Sequence, residues 1–121
     1  MIVPAPDSFA AACPSRGLVA RLGEKWAMLA IVALSDGPVR FGALRRRLEG
    51  ISAKMLGQTL RSLERDGLVA RTLRDARPIA VDYRLTVLGR DLLPLAKSLK
   101  DWAEANLHAI EAENARYDSA R

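Results

Sequence analysis

The chain has 121 residues, of which 50% are hydrophobic and 27% charged, and its formal net charge is +5. This length and composition suit one globular domain with a hydrophobic core and leave little room for two independent domains. No apolar run approaches the roughly 20 residues that a transmembrane helix needs, and the first residues lack the pattern of a signal peptide. We therefore expect a cytoplasmic protein without a membrane partner.

The N-terminal part of the chain is predicted to contain an arm followed by two helices. Residues 1–12 hold prolines and small residues without periodicity, and we expect them to form a flexible arm. Pro14 suits the first position of a helix, where a missing N–H has no intrahelical partner. Apolar residues then recur at helical spacing, and Gly23 divides residues 13–35 into two N-terminal helices.

Residues 40–67 have the pattern of a helix-turn-helix. Apolar residues three and four apart predict a short amphipathic helix that ends near Gly50, and Ser52 is a suitable N-cap for a second helix. Along this second helix the apolar side chains share one face, whereas the polar ones fall within roughly 60° of one another on the opposite face. The polar side chains are Lys54, Gln58, Arg61 and Arg65.

The C-terminal half is predicted to contain a hairpin and a long helix. Residues 68–85 have the pattern of two strands joined by a charged tip, and Thr86 can cap a helix over residues 86–118. Its apolar residues recur at alternating steps of four and three, which is typical of a helix that packs on a partner chain. A single domain would leave much of this stripe uncovered, so we expect a homodimer. The residues of this helix expected at the dimer interface are Leu95, Leu99, Trp102 and Asn106.

The positive charge is concentrated in the middle of the chain. Residues 40–77 hold ten basic and four acidic residues, a net charge of +6, while the rest of the chain has a net charge of −1. A concentrated positive field suggests a polyanionic partner. Ribosome-bound and membrane-surface proteins share a high positive charge with proteins that bind nucleic acid, so charge alone does not choose among these classes.

The order of the elements predicts a single domain over residues 13–121. Its fold class is mostly α with a small β-hairpin wing, an α+β winged helix-turn-helix with a C-terminal dimerisation helix. The helix after Ser52 can enter the major groove of double-stranded DNA. Arginine, lysine and glutamine side chains can pair with base edges there, and the residues predicted to read bases are Lys54, Gln58 and Arg61. Phosphate or wing contacts are predicted for Arg45, Arg46, Arg47, Ser52, Arg65, Arg74 and Arg77.

Several short motifs resemble, in order and spacing, those of the HxlR-type regulators. The resemblance implies a dimeric transcription factor with a MarR-like winged fold that binds pseudo-palindromic operators. It also implies N- and C-terminal dimerisation helices, which adds Leu18 and Leu22 to the residues expected at the dimer interface. Gly57 stands where the family commonly has threonine. The motifs are Cys13-Pro14, Gly23-Glu24-Lys25-Trp26, residues 37–41, residues 48–52, residues 60–69 and residues 81–86.

Cys13 is the single cysteine of the chain, so it cannot form an intramolecular disulfide, which agrees with a reducing compartment. At a helix N-terminus and with Arg16 nearby, its thiolate would be stabilised and its pKa lowered. The resemblance extends to Cys13 the possibility of sensing oxidants or electrophiles. The other interpretation is a small apolar residue that packs in the dimer interface.

Other function classes have less support in the sequence. A regulator with a small-molecule pocket near the dimer interface and no cysteine switch is one alternative, and a winged-helix protein-interaction module is another. An enzyme is not predicted, because the chain has no phosphate loop and no nucleophile motif. We also expect no cofactor and no metal site, since His108 is the single histidine.

Overall fold

The computed structural model describes residues 5–74 and 80–120. Its helices and strands occur in the order predicted from the sequence, and this order confirms the fold class. They are α1 (Pro14–Leu22), α2 (Ala27–Ala33), β1 (Val39–Arg40), α3 (Phe41–Arg47), α4 (Ala53–Arg65), β2 (Val69–Arg74), β3 (Ala80–Leu85) and α5 (Val87–Ser119).

The predicted N-caps of α4 and α5 are confirmed. The Ser52 hydroxyl oxygen accepts a hydrogen bond from the Met55 N–H at 3.0 Å. The Thr86 hydroxyl oxygen accepts one from the Gly89 N–H at 3.1 Å. Each cap satisfies a backbone donor that the first turn of a helix otherwise leaves without a partner. The two polar residues therefore fix where these helices begin.

The sheet has three antiparallel strands in the order β1-β3-β2. The pairing of β2 with β3 confirms the predicted wing hairpin, with Val69 opposite Leu85 and Arg74 opposite Ala80. Of the predicted hairpin tip, Arg74 is the last residue of β2, whereas Arg77 and the rest of residues 75–79 lie outside the described residues. The sequence analysis missed β1, because a two-residue strand is too short to show a period of two.

The core lies where the helix-turn-helix packs on α2 and on the base of the wing. Its largest fully buried side chains are Ile31, Leu34, Leu44, Leu56, Leu60 and Val69. On α5 the last buried residue is Ala96, and every residue from Lys97 to Ala120 is half-buried or exposed. The first part of α5 thus belongs to the domain core, and the rest projects beyond it.

Part of the predicted N-terminal arm is folded against α1. The Asp7 carbonyl accepts a hydrogen bond from the Ala10 N–H at 3.0 Å. The Arg16 guanidinium donates to the carbonyls of Ser8 and Phe9 at 3.1 and 2.8 Å. These bonds give the residues just before α1 a defined course.

In the described parts of the chain, no helix combines the length and the hydropathy that crossing a membrane requires.

Candidate nucleic-acid interface

Helix α4 separates its apolar and polar side chains as the sequence predicts. Leu56, Thr59, Leu60 and Leu63 are buried, whereas the predicted base-reading side chains, Lys54, Gln58 and Arg61, are exposed together with Arg65. A helix is about 10–12 Å in diameter, so α4 can enter a major groove about 12 Å wide, and its thirteen residues run for about 20 Å. The exposed stripe therefore has the shape and the donors that contact with base edges requires.

Gly57 lies beside Arg61 on the exposed side of α4. A Cβ atom added at Gly57 would lie 3.1 Å from the Arg61 terminal nitrogen Nη1. The guanidinium of Arg61 is therefore folded back along the helix over the Gly57 backbone. This brings its donors toward the N-terminal half of α4.

The turn between α3 and α4 brings several predicted phosphate contacts together. Arg45, Arg46 and Ser52 line one open depression with Glu49 and the Gly50–Ile51 turn, so that two basic side chains face one acidic one there. The Arg45 Nε atom donates to the Ile51 carbonyl at 3.4 Å. All three arginines of α3, including Arg47, are exposed. A basic depression open to solvent at a helix N-terminus is a suitable place for a DNA phosphate.

The wing contains a charged cluster that the sequence did not indicate as a unit. Arg74 donates from Nε to the Oδ2 atom of Asp82 at 2.5 Å, and Arg40 Nε lies 3.9 Å from the other carboxylate oxygen. Asp82 itself is buried. Arg40 reaches this carboxylate because β1 pairs with β3, and no sequence pattern indicated that pairing.

The predicted dimer surfaces on α1 and α5 are exposed and apolar. Leu18, Leu95, Leu99 and Trp102 are all at least one third exposed, Trp102 to 60%. Leu22 is half-buried and lines, with Leu18 and Leu95, a groove of about 310 Å³ between the two helices. Asn106 is half-buried, and its amide donates to the Trp102 carbonyl of the same helix at 2.9 Å. The two helices therefore share a largely apolar groove, whose lining also includes Asp66 and Asp91.

The Cys13 thiol has neighbours different from those expected. Its sulfur lies 3.2 Å from the Ser15 hydroxyl and accepts a hydrogen bond from the Asp7 N–H at 3.3 Å. The Ser15 hydroxyl is the main cause that lowers the pKa of Cys13, and the backbone N–H groups of Ser15 and Asp7 add to it. The prediction that Arg16 lowers the pKa of Cys13 was wrong. The Arg16 guanidinium is instead bound to the carbonyls of the preceding turn.

A capped helix with a basic face, an arginine-lined turn and an antiparallel wing together define a winged helix-turn-helix DNA-binding protein. The sequence profile of the HxlR-like helix-turn-helix family matches residues 21–111 of the chain. The chain belongs to this family, as the resemblance indicated.

Known relatives agree with this assignment. The HTH-type transcriptional regulator YtfH of Escherichia coli is 41% identical over 104 residues, which are 86% of this chain and 82% of that protein. The structure of the transcriptional regulator YtfH from Salmonella typhimurium matches with a TM-score of 0.86 at 40% identity, over 92% of this chain and 99% of that one. The redox regulator HypR in its oxidised form matches with a TM-score of 0.71 at 37% identity, over 78% and 97%. The protein is therefore a transcriptional regulator with a helix-turn-helix domain, and not an enzyme.

Proposed function

We propose that the protein is a homodimeric regulator that binds a pseudo-palindromic operator in double-stranded DNA. The observation that carries this proposal is the exposed polar stripe of α4, flanked on one side by the arginines of α3 and on the other by the wing. In a two-fold dimer, two such helices set about 34 Å apart enter successive major grooves on one side of the duplex. Lys54, Gln58 and Arg61 then read bases, while the flanking arginines hold phosphates.

Two substitutions test this division of roles. Arg61→Ala should weaken binding to the operator more than binding to random DNA, because a good base contact is worth about 1–3 kcal/mol of discrimination. Arg46→Ala should weaken binding to both DNAs alike and lower the salt dependence by about 0.9 logarithmic units for each DNA phosphate that the variant no longer neutralises. Fluorescence anisotropy with the intergenic DNA beside the protein's own gene and with random duplexes measures both effects. Equal losses of affinity for the two DNAs in Arg61→Ala would contradict base readout.

The dimer is proposed to form through the apolar surface of α1 and α5. Leu99 is 53% exposed and lies on the part of α5 that projects beyond the core. Leu99→Glu would bury a charge in the interface and should convert the dimer to a monomer. Val87→Glu is a matched control on the same helix, because Val87 is 90% exposed at the first position of α5, outside the apolar stripe. Sedimentation equilibrium should give a monomer for the first variant and a dimer for the second.

The same surfaces distinguish the proposal from a winged-helix protein-interaction module. Phosphate contacts release counterions, so the affinity of a DNA-binding protein falls steeply with salt. A module that binds a partner protein would show little affinity for duplex DNA and little salt dependence of that kind. A steep logarithmic slope for the operator supports the regulator.

Cys13 is the proposed redox input. Its lowered pKa favours the thiolate, which is the form that reacts with oxidants, and a similar structure is that of a redox regulator. A Cys13 thiol from each subunit can join in one disulfide. The pair then loses two electrons and two protons to a hydroperoxide, which is reduced to an alcohol and water. Such a link would change the separation of the two α4 helices.

The oxidation test compares wild type with Cys13→Ser. Treatment with a hydroperoxide should change operator affinity for wild type and leave the variant unchanged, and non-reducing electrophoresis should show the linked dimer. Equal affinity of reduced and oxidised wild-type protein would count against a cysteine switch.

A small-molecule effector is the second candidate for the signal. Among the described residues, a cavity of about 290 Å³ lies between the α1–α2 junction and α4, with Leu22, Met55 and Gln58 in its lining. The Arg21–Asp66 ion pair, at 2.9 Å, lies on its wall and joins α1 to the end of α4. A ligand there would touch α4 directly. Leu22→Trp should fill part of the cavity, and a response to effector that survives Cys13→Ser and is absent in Leu22→Trp would favour this alternative.

A further inference from the structure

We propose that Arg40 and Arg74, positioned by the carboxylate of Asp82, form a DNA phosphate-binding site on the wing. The proposal rests on the proposed DNA-binding function and adds to it a contact residue, Arg40, and a positioning residue, Asp82, that the sequence did not suggest. The phosphate belongs to the duplex backbone that flanks the major groove occupied by α4.

The sheet register brings the three residues together. Asp82 on β3 is opposite Arg40 on β1 and opposite Thr72 on β2. Arg74 is opposite Ala80, which is two residues before Asp82 on β3. Side chains directly opposite each other, and those two residues apart on one strand, share a face of the sheet. Arg40, Arg74 and Asp82 therefore meet on one face although they come from three strands.

The carboxylate divides its two oxygens between the two arginines. Oδ2 accepts from Arg74 Nε at 2.5 Å, and Oδ1 lies 3.9 Å from Arg40 Nε. A guanidinium has five N–H donors, and the closest contact of each arginine uses Nε. The terminal nitrogens of both groups therefore retain donors for another anion. Two cations and one anion leave this cluster with a net charge of +1.

The acid of the cluster is buried, whereas its two arginines are exposed. Asp82 is only 7% exposed, and a buried carboxylate needs partners to offset its loss of hydration. The side chains of Arg40 and Arg74 are 59% and 56% exposed. The acid is thus anchored inside the sheet, while the two guanidinium groups remain open to solvent, where a phosphate can reach them.

The position of the cluster suits the DNA backbone. Arg40 immediately precedes α3, the first helix of the helix-turn-helix, and Arg74 is the last residue of β2 before the wing tip. Arginine binds phosphate through two parallel N–H donors when its guanidinium is held in place. Asp82 holds these long side chains before DNA arrives, so less conformational entropy is lost on binding. This is the role proposed for Asp82.

Asp82→Asn tests whether Asp82 positions the two arginines, because the direction of its effect on operator affinity depends on that role. The substitution keeps the shape of the side chain and raises the net charge of the protein by one unit. If Asp82 acted only by repelling DNA, the variant would bind the operator more tightly. If Asp82 positions the arginines, operator affinity should fall about 3- to 10-fold at roughly 0.15 M salt. The two explanations therefore predict opposite directions.

Glu64→Gln is the matched control. Glu64 also pairs with an arginine of β2, Arg71, at 3.5 Å, but both side chains are well exposed, 37% and 57%. This substitution makes the same charge change without releasing a buried acid, so affinity should stay equal or rise. A fall for Asp82→Asn together with no fall for Glu64→Gln supports positioning, and the same effect for both variants would overturn it.

Arg40→Ala tests the contact residue and does not depend on the Asp82 variant folding. The Arg40 side chain is exposed and makes no capping hydrogen bond to α3, so the fold should remain, as circular dichroism can verify. Affinity for operator and random DNA should fall alike, with the salt slope lower by about 0.9 logarithmic units for each site in the dimer. An unchanged slope would overturn the proposal. If the wild type binds DNA with a steep salt slope, and Arg46→Ala weakens DNA binding while Arg40→Ala does not, this inference fails and the proposed function stands. A wild type that does not bind duplex DNA refutes both.

Discussion

Among the described glycines, Gly89 has the least space for a side chain. It lies in the first turn of α5, against the backbone at the start of the wing. A Cβ atom at this position would lie 2.1 Å from the Leu68 carbonyl oxygen and 3.3 Å from the Leu85 side chain. Non-bonded heavy atoms are most stable at about 3.5–4.0 Å. An alanine therefore requires that the first turn of α5 move away from the wing by about 1 Å or more.

The magnitude of the effect follows from the interactions that this movement disturbs. The Thr86 N–H donates to the Leu68 carbonyl at 3.1 Å, and the Thr86 hydroxyl donates to the Gly67 carbonyl at 2.6 Å. Overpacking costs about 1–3 kcal/mol, and each weakened hydrogen bond about 1 kcal/mol. The higher helix propensity of alanine offsets about 1 kcal/mol of this loss of stability. We expect Gly89→Ala to lower the free energy of unfolding by about 2–4 kcal/mol.

Urea denaturation at one fixed protein concentration measures this difference, since the stability of the proposed dimer depends on concentration. Gly42→Ala is the matched control, because the nearest neighbour of a Cβ at Gly42 in α3 would be the Arg46 side chain, at 3.6 Å. That variant should be as stable as wild type or more stable by up to about 1 kcal/mol. If Gly89→Ala and Gly42→Ala had the same stability, the argument from the Leu68 carbonyl would be refuted.

Two further predictions concern the DNA contact and the thiol. Gly57→Ala should stabilise α4 by up to about 1 kcal/mol and displace the Arg61 guanidinium, which lies 3.1 Å from the added Cβ. Binding to a set of base-substituted operators should then show a changed base preference. An unchanged base preference would mean that Gly57 does not determine the position of Arg61. Ser15→Ala removes the main cause of the lowered Cys13 pKa, so that pKa should rise, the thiolate fraction at neutral pH should fall, and iodoacetamide should react more slowly there. A pH profile of the reaction rate with the same midpoint as wild type would contradict the role of Ser15.

The order of the helices and the two faces of α4 could be predicted from the sequence, because both depend on neighbours within a few positions. Ser52 and Thr86 bond to N–H groups three residues ahead, so their capping roles are local. The buried and exposed residues of α4 follow from 3.6 residues per turn alone. The apolar repeat of α5 likewise indicated a stripe that the domain leaves exposed.

The tertiary structure alone decided the contacts between distant parts of the chain. Asp82 meets Arg40 through the pairing of β3 with a strand of two residues, across more than forty positions. Gly89 must be glycine because the carbonyl of Leu68, twenty-one residues earlier, occupies the space of a Cβ. The pKa of Cys13 is lowered by Ser15 and by the Asp7 N–H, and Arg16 is not among the causes. Periodicity and capping report on local backbone geometry, whereas strand register and close packing depend on which distant segments meet, so only the folded chain fixed these residues' roles.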